Sequence, residues 1–322
     1  MATIETLGGP LDTGQLGTVL MHEHIFNLTL ELQGPYPGFN GWDPEVELPK
    51  AREQLGALKQ TGVDTILELS VIGLSRDIGL MTSAVEGTGL QVIVSTGLYT
   101  YDVLPRPWHF SGPGTLLGGP EPLDELMLRD IRQGIGDTGV KAGMLKCAVD
   151  QAGLTEHVER VLRSCCRVHG ETATPMTVHT HAPTQRGSDA LRVLGEEGVD
   201  PARVVLAHCG DTTDLDYLEQ LIDAGPTLGM DRFGLDILLP FEDRVATVAT
   251  LCERGYADRM ILSHDANCFT DWFPPGVEEQ ASPNWHFLHI HQDVLPALLE
   301  REVTEKQIET MLVEVPRRFF ER

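Results

Sequence analysis

Eight short β-rich runs recur along the chain, each followed by a stretch of helical periodicity, and this alternation constrains the fold more than any single motif. The runs are TVLMHEH (18–24), DTILELS (64–70), VIVSTGLY (92–99), GMLKCA (143–148), PMTVHT (175–180), VVLAHC (204–209), PTLGMD (226–231) and MILSHD (260–265). Segments such as VELPKAREQLGALKQTG, TEHVERVLRSCCRVHG and DLDYLEQLIDAG lie between them, with apolar residues three and four apart and glycine at their ends. Eight such units close into a (β/α)8 TIM barrel, an α/β fold whose chemistry sits at the C-terminal ends of the strands. A doubly wound sheet would need a glycine-rich nucleotide loop after its first strand, and HEHIFNLTL is not one. A chain of 322 residues, 41% hydrophobic, can build such a barrel as one domain over 1–322.

Two connections exceed what a minimal barrel needs. One spans about 100–122 and contains LPRPWHFSGPGTLLGGPEP; the other spans 266–292. Loops this long at the C-terminal face are expected to be functional. Trp108, Phe110, Phe269, Trp272, Phe273, Trp285 and Phe287 give them an apolar character, which predicts a hydrophobic substrate mouth.

Charge and composition exclude several roles. Asp plus Glu number 48 against 24 Lys plus Arg, and a net charge of −24 repels a phosphate backbone and an anionic membrane surface. Neither nucleic acid nor membrane is an expected partner. The N-terminal MATIETLGGPLDTGQLG has no basic region leading into an apolar run, so a cytoplasmic protein is expected. Six cysteines without regular spacing read as buried thiols rather than a disulfide framework.

The barrel rule makes the polar residues at strand ends the candidates for chemistry: His22, His24, Tyr99, Lys146, His179, His208, Asp231 and Asp265. In HEH the strand period of two puts His22 and His24 on one face and Glu23 on the other. Alone, that pair reads as easily as two hydrogen-bonded core histidines. Four histidines, an aspartate and a lysine converging on one barrel mouth point instead to a metal site. Lys146 sharpens the case, because an uncompensated ammonium on a buried strand is costly or loses its proton. His264 has the opposite strand parity and is expected to be structural, whereas His181 is a candidate to support a ligand.

HEH, KCA, VHTH, LAHCGDTTDLDYL, GMDRFGLD and SHD, in this order on successive strands, together with the PRRFF tail at 316–320, resemble the phosphotriesterase family of the amidohydrolase superfamily. The resemblance implies that His22, His24 and Asp265 hold the more buried of two divalent metals and that His179 and His208 hold the more exposed one. It implies Lys146 as the bridge, carboxylated to N6-carboxylysine: a neutral amine adds carbon dioxide and releases a proton to become an anionic carbamate. Zinc is the first expectation for the metals, with cobalt, manganese or iron accepted by the same donors. The implied reaction is hydrolysis by a metal-bridging hydroxide, with Asp265 taking the nucleophile's proton and passing it to the leaving oxygen.

Within that family the residues around the mouth resemble the lactonase branch. TGLYTYDVLP places Tyr99 where a phenol can hydrogen-bond a lactone ring oxygen or the oxyanion, Arg232 of GMDRFGLD is expected to position the loops, and Trp272 of HDANCFTDWF to line the acyl side. Asp231 is expected to pair with the surroundings of Arg232 or with a ligand histidine. Ala266 stands where relatives often carry a tyrosine, which predicts a wider mouth. The resulting expectation is a lactonase opening N-acyl-homoserine lactones, hence quorum quenching, or other aliphatic lactones, with side activity on organophosphate triesters. A triesterase, an esterase on another substrate and a non-catalytic binding barrel are the alternatives. A homodimer is expected from the resemblance.

Overall fold

In a computed structural model, which describes residues 2–321, eight parallel strands curl into a barrel. They are β1 (Thr18–Glu23), β2 (Val63–Glu68), β3 (Gln91–Gly97), β4 (Met144–Val149), β5 (Met176–Thr180), β6 (Val204–Ala207), β7 (Thr227–Met230) and β8 (Met260–Leu262). Each pairs in parallel with its successor. Between β8 and β1 the barrel is closed by the Asp265 N–H donating to the His22 carbonyl and the His22 N–H donating to Ser263 Oγ, both at 3.0 Å. The (β/α)8 architecture expected from the alternating pattern is therefore the one observed.

Helices α1 (Pro44–Gln60), α2 (Ile78–Val85), α3 (Pro122–Arg132), α4 (Glu156–Thr172), α5 (Arg186–Glu196), α6 (Leu215–Ala224) and α7 (Phe241–Glu253) follow strands β1 to β7, and α8 (Leu295–Glu300) and α9 (Val315–Glu321) follow β8. Local sequence sets their starts. Asp43 caps α1 by accepting from the Glu45 N–H, with Pro44 at the first position, and Thr155 caps α4 by accepting from the Val158 N–H.

Strand parity divides the core in two. Ile66, Val92, Leu145 and Leu206 point outward and pack under the helices with Leu55 and Leu162. Their neighbours Leu67, Ile93, Met144 and Val205 fill the barrel interior with Met21, Ile261 and Phe319. Each fully buried Leu, Ile or Phe contributes about 1.5–3 kcal/mol, so a one-residue slip of any strand would exchange interior and exterior sets at high cost. Gly97 allows β3 to approach β4: its φ is +138° and a Cβ there would lie 1.8 Å from the Lys146 carbonyl oxygen.

Two features depart from what the sequence predicts. An antiparallel hairpin, Thr3–Thr6 with Gly9–Asp12, precedes the barrel, and its Ile4 and Leu11 pack on the interior cluster. Its strands are too short and polar for a period-two signal. Several barrel strands also end sooner than expected; β8 stops at Leu262 rather than at 265. The chain leaves the ladder there to aim side chains into the mouth, and His208 and Asp265 adopt left-handed backbone, φ +65° and +55°. Among the described residues no helix is long and apolar enough to cross a membrane.

Candidate metal centre

The polar side chains at the strand ends converge on a cavity of about 280 Å³. His22, His24, Lys146, His179, His208 and Asp265 all line it, together with Tyr99 and Arg232. Asp265 Oδ1 lies 3.1 Å from Nε2 of both His22 and His24, and Lys146 Nζ lies 3.2 Å from His22 Nε2. The His208 ring is 4.7 Å from that of His22 and 4.5 Å from that of His179, centroid to centroid. The strand-end residues named from the sequence are thus brought together.

The back of each ring explains its orientation. His22 Nδ1–H donates to Asp231 Oδ2 at 2.7 Å, and His208 Nδ1–H donates to Asp231 Oδ1 at 3.0 Å. Asp231 is fully buried and also accepts from the His208 N–H, so it orients two imidazoles, one through each oxygen. Burial opposes its ionisation, yet His208 and His22 hold its carboxyl well below the usual range. His24 Nδ1 lies 2.8 Å from Ser70 Oγ, whose hydroxyl donates to Asn27 Oδ1. Three rings therefore have Nδ1 engaged and present Nε2 to the cavity. His179 is reversed: its Nε2 faces Asp150 Oδ1 at 3.4 Å, leaving Nδ1 as the nitrogen not engaged by Asp150.

Electrostatics favour neutral imidazoles at His24, His179 and His208. Burial lowers His24 and His208, and takes His179 down to about 4. Burial and Lys146 also press on His22, but Asp265 and Asp231 outweigh them and raise it. Lys146, 1% exposed, is pushed by burial down to about 8, which makes its neutral amine accessible near physiological pH. Inward lone pairs, one buried carboxylate and a lysine primed to lose its proton form a donor set that fits divalent metal. His22, His24 and Asp265 in particular place ligand atoms within 4.8 Å of one another.

Asp265 is held from its other side. Arg232 Nε–H donates to Asp265 Oδ2 at 2.9 Å and its Nη1–H to Asp211 Oδ2 at 3.0 Å, while Arg244 donates to Asp211 Oδ1 at 2.6 Å. Trp285 Nε1–H donates to the carbonyls of His264 and Asp265, at 3.0 and 3.1 Å. His264 turns away from the cavity: its Nδ1 meets Glu23 Oε1 at 2.8 Å and its Nε2 accepts from the Ile290 N–H. Glu23 also accepts from the N–H groups of His264 and Ala266 and pins this turn. Asp150, Ser70 and Asp211 are not among the residues the sequence marks for chemistry, and the strand period assigns Glu23 only the face away from the histidines. Glu23 lies between the two histidines of HEH, but Ser70, Asp150 and Asp211 lie just past strand ends, where position at the C-terminal face is the signal they carry.

Two sequence expectations need correction. His181 does not orient a ligand; it bonds Thr184 of its own turn, and Asp150 faces His179 instead. The loop at 100–122 does not supply the hydrophobic mouth. Arg160 ties it down onto α4, donating to the Trp108 and Ser111 carbonyls and to Glu121, and Trp108 and Phe110 are not among the cleft-lining residues. In the 266–292 loop Trp272, Phe273 and Trp285 line the cleft, whereas Phe269 packs on Trp42 and Phe287 is buried. Leu235, Ile237 and Leu238 also line the cleft, an apolar run in the connection between β7 and α7.

The fold and this cluster define a (β/α)8 barrel equipped to hold metal at its strand ends. The model of the phosphotriesterase family matches residues 2–320. The phosphotriesterase homology protein of Mycobacterium tuberculosis (strain CDC 1551 / Oshkosh) is 52% identical over 322 residues, covering 100% of this chain and 98% of the relative. The aryldialkylphosphatase of Saccharolobus solfataricus is 34% identical, covering 96% of each. The solved structure of the phosphotriesterase from Mycobacterium tuberculosis superposes with a TM-score of 0.97 at 52% identity, covering 99% of this chain and 98% of that one. The chain belongs to the phosphotriesterase family, whose members are metal-dependent hydrolases.

Proposed function

We propose that this protein is a lactonase that opens N-acyl-homoserine lactones or other aliphatic lactones and acts more weakly on organophosphate triesters. The observation that carries the reading is one continuous cleft with a histidine, aspartate and lysine floor, Tyr99 and Arg232 beside it, and Ile237, Leu238, Trp272 and Phe273 as apolar walls. A lactone with an aliphatic chain has the same division, a polar ring to be cleaved and an apolar tail to be sheltered.

In this reading His22, His24, Lys146, His179, His208 and Asp265 hold two divalent metals, with Lys146 as the carbamate. A bound metal pair supplies an acidified water and polarises the carbonyl oxygen. Asp265 accepts the attacking water's proton and returns it to the alkoxide that leaves when the ring C–O bond breaks. Arg232 fixes the carboxylate for that transfer. Tyr99, whose phenol burial keeps protonated, donates a hydrogen bond to the ring oxygen or the developing oxyanion. Its ring rests edge-on against His179 at 5.2 Å, which sets its direction.

A lactone panel measured beside an aryl dialkyl phosphate triester tests this directly. Metal-replete protein is expected to open lactones far faster than it cleaves the triester, to lose both activities on chelation and to regain them with added metal. The reverse ranking would establish a triesterase, the second reading, which the name of the Saccharolobus solfataricus relative favours. Absence of lactone opening by metal-replete protein would sink the proposal.

A further inference from the structure

One ionisable group in the cleft is left without a part in the chemistry above. Glu278 lies on the short helix Val277–Ala281 and lines the cleft with Val277 and Ala281, as do Leu235, Ile237 and Leu238. It also lines a neighbouring cavity of about 590 Å³, bounded by Asn267, Phe269, Phe273 and Phe287 among others. It stands where the two spaces meet.

Glu278 is poorly satisfied there. Among the described residues its side-chain hydrogen bonding consists of Asn267 Nδ2–H donating to Oε1 at a long 3.4 Å, and it forms no ion pair. The cations lining the two spaces are committed elsewhere: Arg232 to Asp265 and Asp211, Lys50 to Glu47, and Lys146 in the metal cluster. Asn267 Oδ1 is buried with no partner among the described residues. Burial, followed by the neighbouring Glu279, pushes the Glu278 carboxyl up to about 7. A half-buried carboxyl and a buried amide oxygen without a partner, side by side on an apolar wall, offer acceptors that a ligand's donor can engage.

We propose that Glu278, held by Asn267, is a hydrogen-bond-accepting subsite at the junction of the two cavities, and that it selects lactones whose acyl chain carries a hydroxyl group. The inference rests on the lactonase reading and adds the substrate class. At a pH well above 7, where Glu278 is ionised and accepts only, a hydroxyl donates to the carboxylate, a methylene leaves it unsatisfied, and a keto oxygen brings acceptor against acceptor. The expected preference at the matching carbon is therefore hydroxyl over methylene over keto.

The test uses acyl-homoserine lactones of one chain length bearing a hydroxyl, a methylene or a keto group at successive carbons, hydrolysed by metal-replete wild type, Glu278→Gln and Glu278→Leu. At one position the hydroxyl is expected to raise kcat/KM about tenfold over the methylene, through KM. Glu278→Leu is expected to erase that ratio while still opening the plain lactone, and Glu278→Gln, whose amide oxygen still accepts, to retain part of it. An unchanged ratio in Glu278→Leu at every carbon overturns the subsite and leaves the lactonase reading intact. If wild type opens no lactone, the lactonase reading fails by itself. The subsite is then judged by calorimetric binding of the matching non-hydrolysable acyl cyclopentylamides, and equal binding of hydroxylated and plain analogues overturns it.

Discussion

At the floor of the cleft Asp231 holds His22 and His208 from behind, Ser70 faces His24, and Asp150 faces His179, so each ring is fixed by a bond its neighbours also need. At the rim the opposite holds. Trp272 and Phe273 stay 46% and 40% exposed and Ile237 68% exposed, contacting solvent where a ligand would cover them. The floor is over-determined because the four rings, Ser70 and Asp231 are buried and a misplaced lone pair there costs a full hydrogen bond. The rim is under-determined because apolar contact is non-directional, which lets substrate preference drift while the chemistry stays fixed.

Mutations can break this contrast. Lys146→Ala is expected to have the largest effect, collapsing the paired site and bringing hydrolysis to background; retained metal stoichiometry and activity would remove the bridging role. Asp231→Asn touches no substrate, yet it frees two imidazoles at once. Metal affinity measured by competition with a chelator should fall about 10–100-fold, and an unchanged affinity would show the rings to be held by packing alone. Trp285→Phe keeps the apolar wall but removes the N–H that clamps the left-handed turn at Asp265. A drop of about tenfold in kcat with KM little changed is expected, whereas a change in KM alone would make Trp285 a rim residue only.

Trp272→Ala lies wholly at the rim, so KM for long-chain lactones should rise several-fold while kcat and metal content hold. A loss of metal would contradict the separation of floor and rim. The smallest effect concerns Glu278 and pH. Its carboxyl is raised from an ordinary 4.5 to about 7, so the unfolded chain loses this proton first. Its contribution is fully present below pH 4.5 and is lost as pH rises toward about 7; Glu278→Gln should flatten that part of a denaturation profile, and an unaltered slope would show the group to be solvated.

Much of the floor was legible beforehand because periodicity exposes it. HEH puts two imidazoles on one face, and VHTH, LAHC and SHD repeat a polar residue at the end of an apolar run. The groups behind the ligands were not legible by the same rule. Asp150 lies one residue past β4, Ser70 two past β2 and Asp211 in the turn after His208, where strand parity no longer applies. The two long loops are alike in composition, and Arg160 and His157 of α4, distant in sequence, distinguish the one tied to that helix from the one that lines the cleft.

The sequence by itself determined the barrel, its strand parity and the set of chemical groups delivered to one end, because period two and period 3.6 are local properties of the chain. Tertiary structure alone decided which nitrogen of each histidine faces the cavity, which aromatic residues meet a ligand and that Glu278 stands between two cavities. Those outcomes depend on hydrogen bonds and packing between residues as far apart as His22 and Asp231, whose contact no local pattern encodes.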